Sequence, residues 1–132
     1  MRHPDNFGLY LDYRINPPAV EGDLPTVEMT IGDRHLSSAG VAHGGAVFSL
    51  MDFALGAVLT TTRTDLEQRC STVGMHIEYL APVPNGTLLT VHVSILHRGR
   101  SLARLRADAY NQDGKLLAYA IATFNLYYKK KK

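Results

Sequence analysis

The stretch from Gly44 to about Thr62 constrains the fold more than any other, because its apolar residues recur at helical and not at strand spacing. Val47, Leu50, Met51, Ala54, Leu55 and Val58 fall at i, i+3, i+4, i+7, i+8 and i+11, an apolar stripe along one face of an α-helix. No proline interrupts it, and its five turns would span roughly 28 Å at 1.5 Å per residue. A helix with so broad an apolar face needs another layer to cover it. The flanking sequence offers only strands.

Ahead of the helix, Pro17-Pro18, Gly22, Pro25 and Gly32 leave two short candidate strands, about Leu9 to Ile15 and about Pro25 to Ile31. In the second, Val27, Met29 and Ile31 alternate with polar neighbours, the period of a strand with one wet face. Beyond the polar link Arg63 to Arg69, four more strands are expected: Ser71 to Ala81, Thr87 to Leu96, Ser101 to Tyr110 and Leu116 to Tyr127. Pro82-Val83-Pro84-Asn85-Gly86, Arg98-Gly99-Arg100 and Asn111-Gln112-Asp113-Gly114 read as hairpin connections, so these four strands are predicted to form an antiparallel meander. The expected class is α+β, a long central helix wrapped by a curved antiparallel sheet of five to six strands.

A chain of 132 residues with 45% hydrophobic and 20% charged residues suits one globular domain, expected over residues 1–128. Residues 129–132 are all lysine and read as a solvated, disordered tail. Without that run the remainder is slightly acidic despite a formal net charge of +2, which argues against a nucleic-acid partner. Cys70 is the only cysteine, so no intramolecular disulfide forms and a cytoplasmic location is the default. The N-terminus lacks the apolar core of a signal peptide, and the apolar run Ala46 to Leu59 is short for a bilayer and carries Asp52, so no membrane partner is expected.

On the other side of the helix Gly45, Ser49, Asp52 and Gly56 form a second stripe of small or polar residues. A carboxylate in an apolar helix needs a partner, and the plain explanation is an aspartate paired to an arginine or capping a neighbouring element. The small residues around it instead leave space for a ligand. Gly44 and Gly45 permit close backbone approach at the helix start, where free N–H groups and the helix dipole favour an oxyanion. Oxyanion donors with a carboxylate that attacks a carbonyl or activates water suit hydrolysis of an activated acyl group. No Gly-x-Ser-x-Gly elbow supports a serine triad, and His3, His35, His43, His76, His92 and His97 lack metal-ligand spacing. Cys70, beside Arg69, reads as an incidental thiol.

The segment Gly40-Val41-Ala42-His43-Gly44-Gly45-Ala46-Val47-Phe48-Ser49-Leu50-Met51-Asp52 resembles the signature of the phenylacetate-pathway (PaaI-like) type of hotdog thioesterase. In that family His-Gly-Gly opens the central helix and an acid follows eight residues after the first glycine. Met75 to Pro82 and Arg98-Gly99-Arg100-Ser101 also resemble the family, so the likeness covers nearly the whole chain. It implies a hotdog fold, an acyl-CoA substrate hydrolysed to free acid and CoA with no metal or redox cofactor, and a homodimer or homotetramer with active sites at the subunit interface. By that resemblance the Gly44 N–H meets the thioester oxygen, Asp52 is nucleophile or general base, and His43 shapes the helix start. Thr72 matches a hydroxyl that holds the water or the carboxylate of the partner subunit. Ser37 stands where many relatives carry Asn. Gly45 and Ser49 border the substrate, pantetheine passes Tyr79 to Pro82, and Arg98, Gly99 and Arg100 receive the nucleotide. Two alternatives stay open: a hotdog module that binds acyl-CoA without hydrolysing it, and a hotdog hydratase, whose Asp-x-x-x-x-His motif is absent.

Overall fold

A computed structural model describes residues 5–129, and His3 and Lys130 to Lys132 lie outside them. In chain order the elements are α1 (Asn6–Leu11), β1 (Arg14–Asn16), β2 (Thr26–Thr30), a 3-10 turn (Asp33–His35), α2 (Gly44–Thr61), β3 (Gln68–Tyr79), β4 (Leu88–Arg98), β5 (Leu102–Tyr110) and β6 (Leu116–Tyr128). The strands form one antiparallel sheet in the order β1-β2-β4-β5-β6-β3. This is the expected α+β arrangement with six strands.

All six residues of the predicted apolar stripe, Val47, Leu50, Met51, Ala54, Leu55 and Val58, are buried. By length and hydropathy α2 qualifies as a bilayer-crossing helix, but here the sheet covers that face. The middle of the sheet is suited to this: Ala107 pairs with Ala120, Ala109 with Ala118 and Leu105 with Ala122, all buried. Small side chains on two adjacent strands form a trough into which the larger residues of α2 fit. Leu89 and Val91 of β4 and Val27 and Met29 of β2 close the core on one side.

Two expectations are corrected. A strand was expected from Leu9 to Ile15, but the chain forms the helix Asn6–Leu11 and keeps only Arg14–Asn16 as strand. The Asp5 carboxylate caps the Gly8 N–H, and Asp12 turns left-handed with φ 60° while its N–H closes on the Gly8 carbonyl at 2.7 Å. Buried His35 holds that end in place. Its Nδ1 accepts from the Gly32 N–H, so its Nε2–H donates to the Leu11 carbonyl at 2.8 Å.

The second correction concerns the meander. It holds for β4, β5 and β6, but Pro82 to Gly86 is no hairpin: β3 pairs with β6 at one edge of the sheet, while β4 lies between β2 and β5. The connection crosses under the start of α2, where the Ala42 N–H donates to the Val83 carbonyl at 2.8 Å. Because β2 is already paired to β4, the strand after the helix is left to the far edge. β3 also carries a bulge between Thr72 and Gly74. Cys70 and Thr72 pair with inward residues of β6, and beyond Val73 the inward set becomes Met75, Ile77 and Tyr79.

At the other end of α2, Arg98 meets the last turn. Its guanidinium donates to the Leu59 carbonyl at 3.0 Å, to Thr62 Oγ1 at 2.7 Å and to Gln68 Oε1 at 3.0 Å. A cation bonded to the carbonyl end of a helix satisfies groups that have no intrahelical partner and opposes the dipole. Arg98→Ala is expected to lower stability by about 1–3 kcal/mol, with Arg98→Lys recovering only part, as read by denaturant unfolding.

Candidate active site

Burial of one face of α2 turns the other outward, and with it Gly45, Phe48, Ser49, Asp52 and Gly56, none of which is buried. Among the described residues the Asp52 carboxylate is paired to no arginine. Thr72 donates its hydroxyl to Asp52 Oδ1 at 2.6 Å, within the same chain. The expectation that Thr72 reaches Asp52 from a partner subunit is therefore corrected: β3 runs beside α2, and the bulge after Thr72 keeps its hydroxyl on the helix side. Among the described residues no other group bonds to this carboxylate, which leaves Oδ2 for a ligand.

A cavity of about 420 Å³ opens beside this pair. One wall is α2, with Asp52, Phe53, Gly56, Ala57, Thr60 and Thr61. Cys70, Ser71 and Thr72 of β3 face it, with Phe124 of β6 behind and Asp5 and Ile15 at the rim. Apart from the Asp52–Thr72 end the lining is mostly apolar. Phe53 is fixed by Tyr13, whose ring lies 3.8 Å from it between centroids at 33°. Burial, foremost, and then the Asp5 and Asp52 carboxylates push the Tyr13 phenol up to about 12, so it keeps its proton beside Asp52. Tyr13, Phe53 and Phe124 carried no motif that would single them out. Cys70 looked incidental in the sequence but lines the cavity, and burial pushes its thiol up.

The helix start is built from its glycines. A Cβ on Gly44 would stand 3.3 Å from the Tyr79 ring, and one on Gly45 would stand 3.0 Å from His43 Nδ1. The Tyr79 hydroxyl donates to the Gly44 carbonyl at 2.7 Å and ties the end of β3 to the start of α2. His43 is the N-cap, its Nδ1 accepting from the Gly45 N–H at 2.8 Å. One of the two glycine N–H groups is thus occupied. The Gly44 N–H, among the described residues, has no acceptor.

The remaining predicted residues are placed as follows. Ser49 donates to the Gly45 carbonyl at 2.7 Å, four residues back. Ser37 closes its own turn: its hydroxyl donates to the Val41 carbonyl at 3.1 Å and accepts from the Ala39 N–H at 3.2 Å, so it is engaged locally. Pro82 is exposed in the crossover. Arg98 has its guanidinium bonded to the end of α2; Gly99 serves the β4–β5 hairpin, its N–H on the Leu102 carbonyl at 2.8 Å. Arg100 is exposed beside it. The described residues contain no group of three or more His, Cys, Asp or Glu that could hold a metal ion.

Comparison with known proteins bears on the fold and the family. The medium/long-chain acyl-CoA thioesterase YigI of Salmonella typhimurium is 31% identical over 96 residues, covering 64% of this chain and 61% of that protein. The chain thus spans under two-thirds of the length of that relative. Acyl-coenzyme A thioesterase 13 of Mus musculus is 30% identical over 100 residues, 75% of this chain and 70% of that one. Among solved structures, the E. coli PaaI protein from the phenylacetic acid degradation operon superposes with a TM-score of 0.81 at 22% identity, covering 93% of this chain and 85% of that one. A hypothetical thioesterase of Streptococcus pneumoniae with coenzyme A superposes at 0.77 and 25% identity, covering 90% and 91%. The fold is accordingly the hotdog fold. The model of the thioesterase superfamily matches residues 39–118, from the turn before α2 into β6. The helix start, Asp52, Thr72 and strands β3 to β5 lie inside that match, and the chain belongs to the thioesterase superfamily.

Proposed function

We propose that this protein hydrolyses acyl-CoA thioesters, with Asp52 as nucleophile or general base and Thr72 holding its carboxylate. The observation that carries this reading is the Thr72–Asp52 bond of 2.6 Å at the mouth of an apolar cavity. Fixing Oδ1 orients the carboxylate and leaves Oδ2 for the acyl carbon or for a water whose proton it takes. In either route the carbonyl oxygen gains charge, the C–S bond breaks, and the CoA thiolate leaves and takes up a proton; if Asp52 attacks carbon, water then opens the acyl-aspartyl anhydride to release the acid and restore the carboxylate. The YigI relative and the neighbour solved with coenzyme A support CoA as the leaving group.

The charge on the carbonyl oxygen needs a donor, and Gly44 of the same chain is out of reach. Eight residues of helix separate it from Asp52, about 12 Å along the axis. The Gly44 N–H of a second copy meets the need if two α2 helices lie antiparallel. A two-fold axis that sets Gly44 of one copy against Asp52 of the other passes beside Phe48, midway between them and exposed on that face. β3 supplies the means: twelve residues long, it is paired to β6 along one edge only, the kind of edge that adds a strand from another chain. We therefore propose a homodimer with two composite sites.

Thiol release from phenylacetyl-, benzoyl-, octanoyl- and palmitoyl-CoA tests the reaction. Wild-type protein is expected to turn over at least one of them, and Asp52→Ala to lose about 10²–10⁴ in kcat. Equal rates for the two proteins would remove Asp52 from the chemistry. Binding without turnover would make this a sensor. Thr72→Ala is expected to lower kcat about tenfold, the share of one lost hydrogen bond to a charged group.

The composite site has its own test in Gly44→Pro, which deletes the N–H at the first helical position, where proline is tolerated. His43, at φ −62° and ψ 137°, already has the backbone that precedes a proline. Gly44→Pro and Asp52→Ala proteins should each be inactive. Unfolded and refolded together, they should recover about a quarter of wild-type activity, since half of the dimers then hold one intact site. No recovery would place both groups in one chain.

A further inference from the structure

We infer that the cavity beside Asp52 is an acyl groove that selects an unbranched, medium-length chain, with Gly56 as its open wall and the Thr60–Cys70 contact as its end. This rests on the thioesterase reading, because the groove begins at the carboxylate assigned there. Asp52, Gly56 and Thr60 stand at i, i+4 and i+8 on α2, and Thr72 and Cys70 face them in reverse order on β3. The groove therefore runs along the helix from Asp52 to Thr60, about 12 Å.

Gly56 is the informative residue. A glycine inside a helix is unfavourable compared with alanine, so it needs a cause. Packing does not supply one: a Cβ there would meet only Phe124, at an ordinary 3.7 Å. What a side chain at 56 would occupy is the groove itself. Phe124 of β6 and, on α2 itself, the Phe53 ring stacked by Tyr13 give apolar walls.

The walls meet where Thr60 Oγ1 lies 4.0 Å from Cys70 Sγ, with the thiol also 3.9 Å from the Gly56 carbonyl. The polar atoms at this end thus bond to one another and to the helix backbone and ask for no polar ligand. The Cys70 thiol, pushed up by burial, stays neutral there. A long apolar groove of about 420 Å³, with Asp52 and Asp5 its only charged lining groups among the described residues, matches an extended alkyl chain. A phenylacetyl group would fill the end near Asp52 and leave the rest empty.

The test pairs turnover with binding. Hydrolysis of butanoyl-, octanoyl-, hexadecanoyl- and phenylacetyl-CoA is measured alongside calorimetric affinities for the uncleavable thioethers butyl-, octyl- and hexadecyl-CoA. The proteins are wild type, Gly56→Ala, Gly56→Leu and Cys70→Ala. Octyl and octanoyl ligands should lead in wild type. Gly56→Leu should lower the octyl-to-butyl affinity ratio about tenfold or more, the discrimination an apolar pocket achieves per methylene. Gly56→Ala, which favours the helix, should move it in the same direction by less, so that misfolding cannot account for the trend. Cys70→Ala should raise the hexadecyl-to-octyl ratio. Unchanged ratios in all three variants, or phenylacetyl-CoA preferred over octanoyl-CoA in wild type, would overturn the groove. If no thioester is cleaved while the thioether ratios move as stated, the groove stands and the hydrolase reading falls.

Discussion

The burial of one face of α2 in the alanine trough of β5 and β6 is the contact on which the rest of the molecule depends. Ala107, Ala109, Ala118 and Ala120 of the sheet and Leu50, Met51, Leu55 and Val58 of the helix are buried together in one core cluster. Each large apolar side chain withdrawn from water there contributes roughly 1.5–3 kcal/mol. The rotation of α2 about its axis is thereby fixed. With that rotation fixed, Asp52 has to face away from the core, because it stands on the opposite side of the same helix.

That outward placement solves an electrostatic problem that burial would create. A carboxylate in the core needs charged or multiple hydrogen-bonding partners. Asp52 is instead half-buried, with a strong bond from Thr72 and an apolar groove alongside. Low polarity around a carboxylate strengthens its interactions with a reacting group, and exposure of one oxygen lets substrate reach it. The bulge at Val73 serves the same end, since it keeps Thr72 aimed at the helix and then resets β3 so that Tyr79 reaches Gly44.

Two glycines at the helix start answer to two different neighbours, Tyr79 for Gly44 and His43 for Gly45. The close approach of Tyr79 fastens the edge strand to the helix. The His43 cap takes up one N–H and leaves the other, among the described residues, without an acceptor. Donor and carboxylate thus lie on one surface but too far apart to serve one carbonyl. The separation is set by helix rise alone, and it is why the proposed chemistry calls for a second copy of the same surface.

The sequence by itself determined the helix, its buried face, five of the six strands and the pairing of Asp52 with a glycine-rich helix start. Each is a local matter, legible from residue spacing within one element. The short helix α1 was not legible, because Leu9, Leu11, Tyr13 and Ile15 alternate like a strand and only the Asp5 cap and the His35 bond from a distant turn decide otherwise. Tertiary structure alone decided that β3 joins β6, that Thr72 bonds to Asp52 in its own chain, and that Arg98 caps α2. It also brought Phe53, Cys70 and Phe124 to the cavity. These outcomes depend on which strands and turns come together across the sheet, and residue spacing within one element carries no record of that.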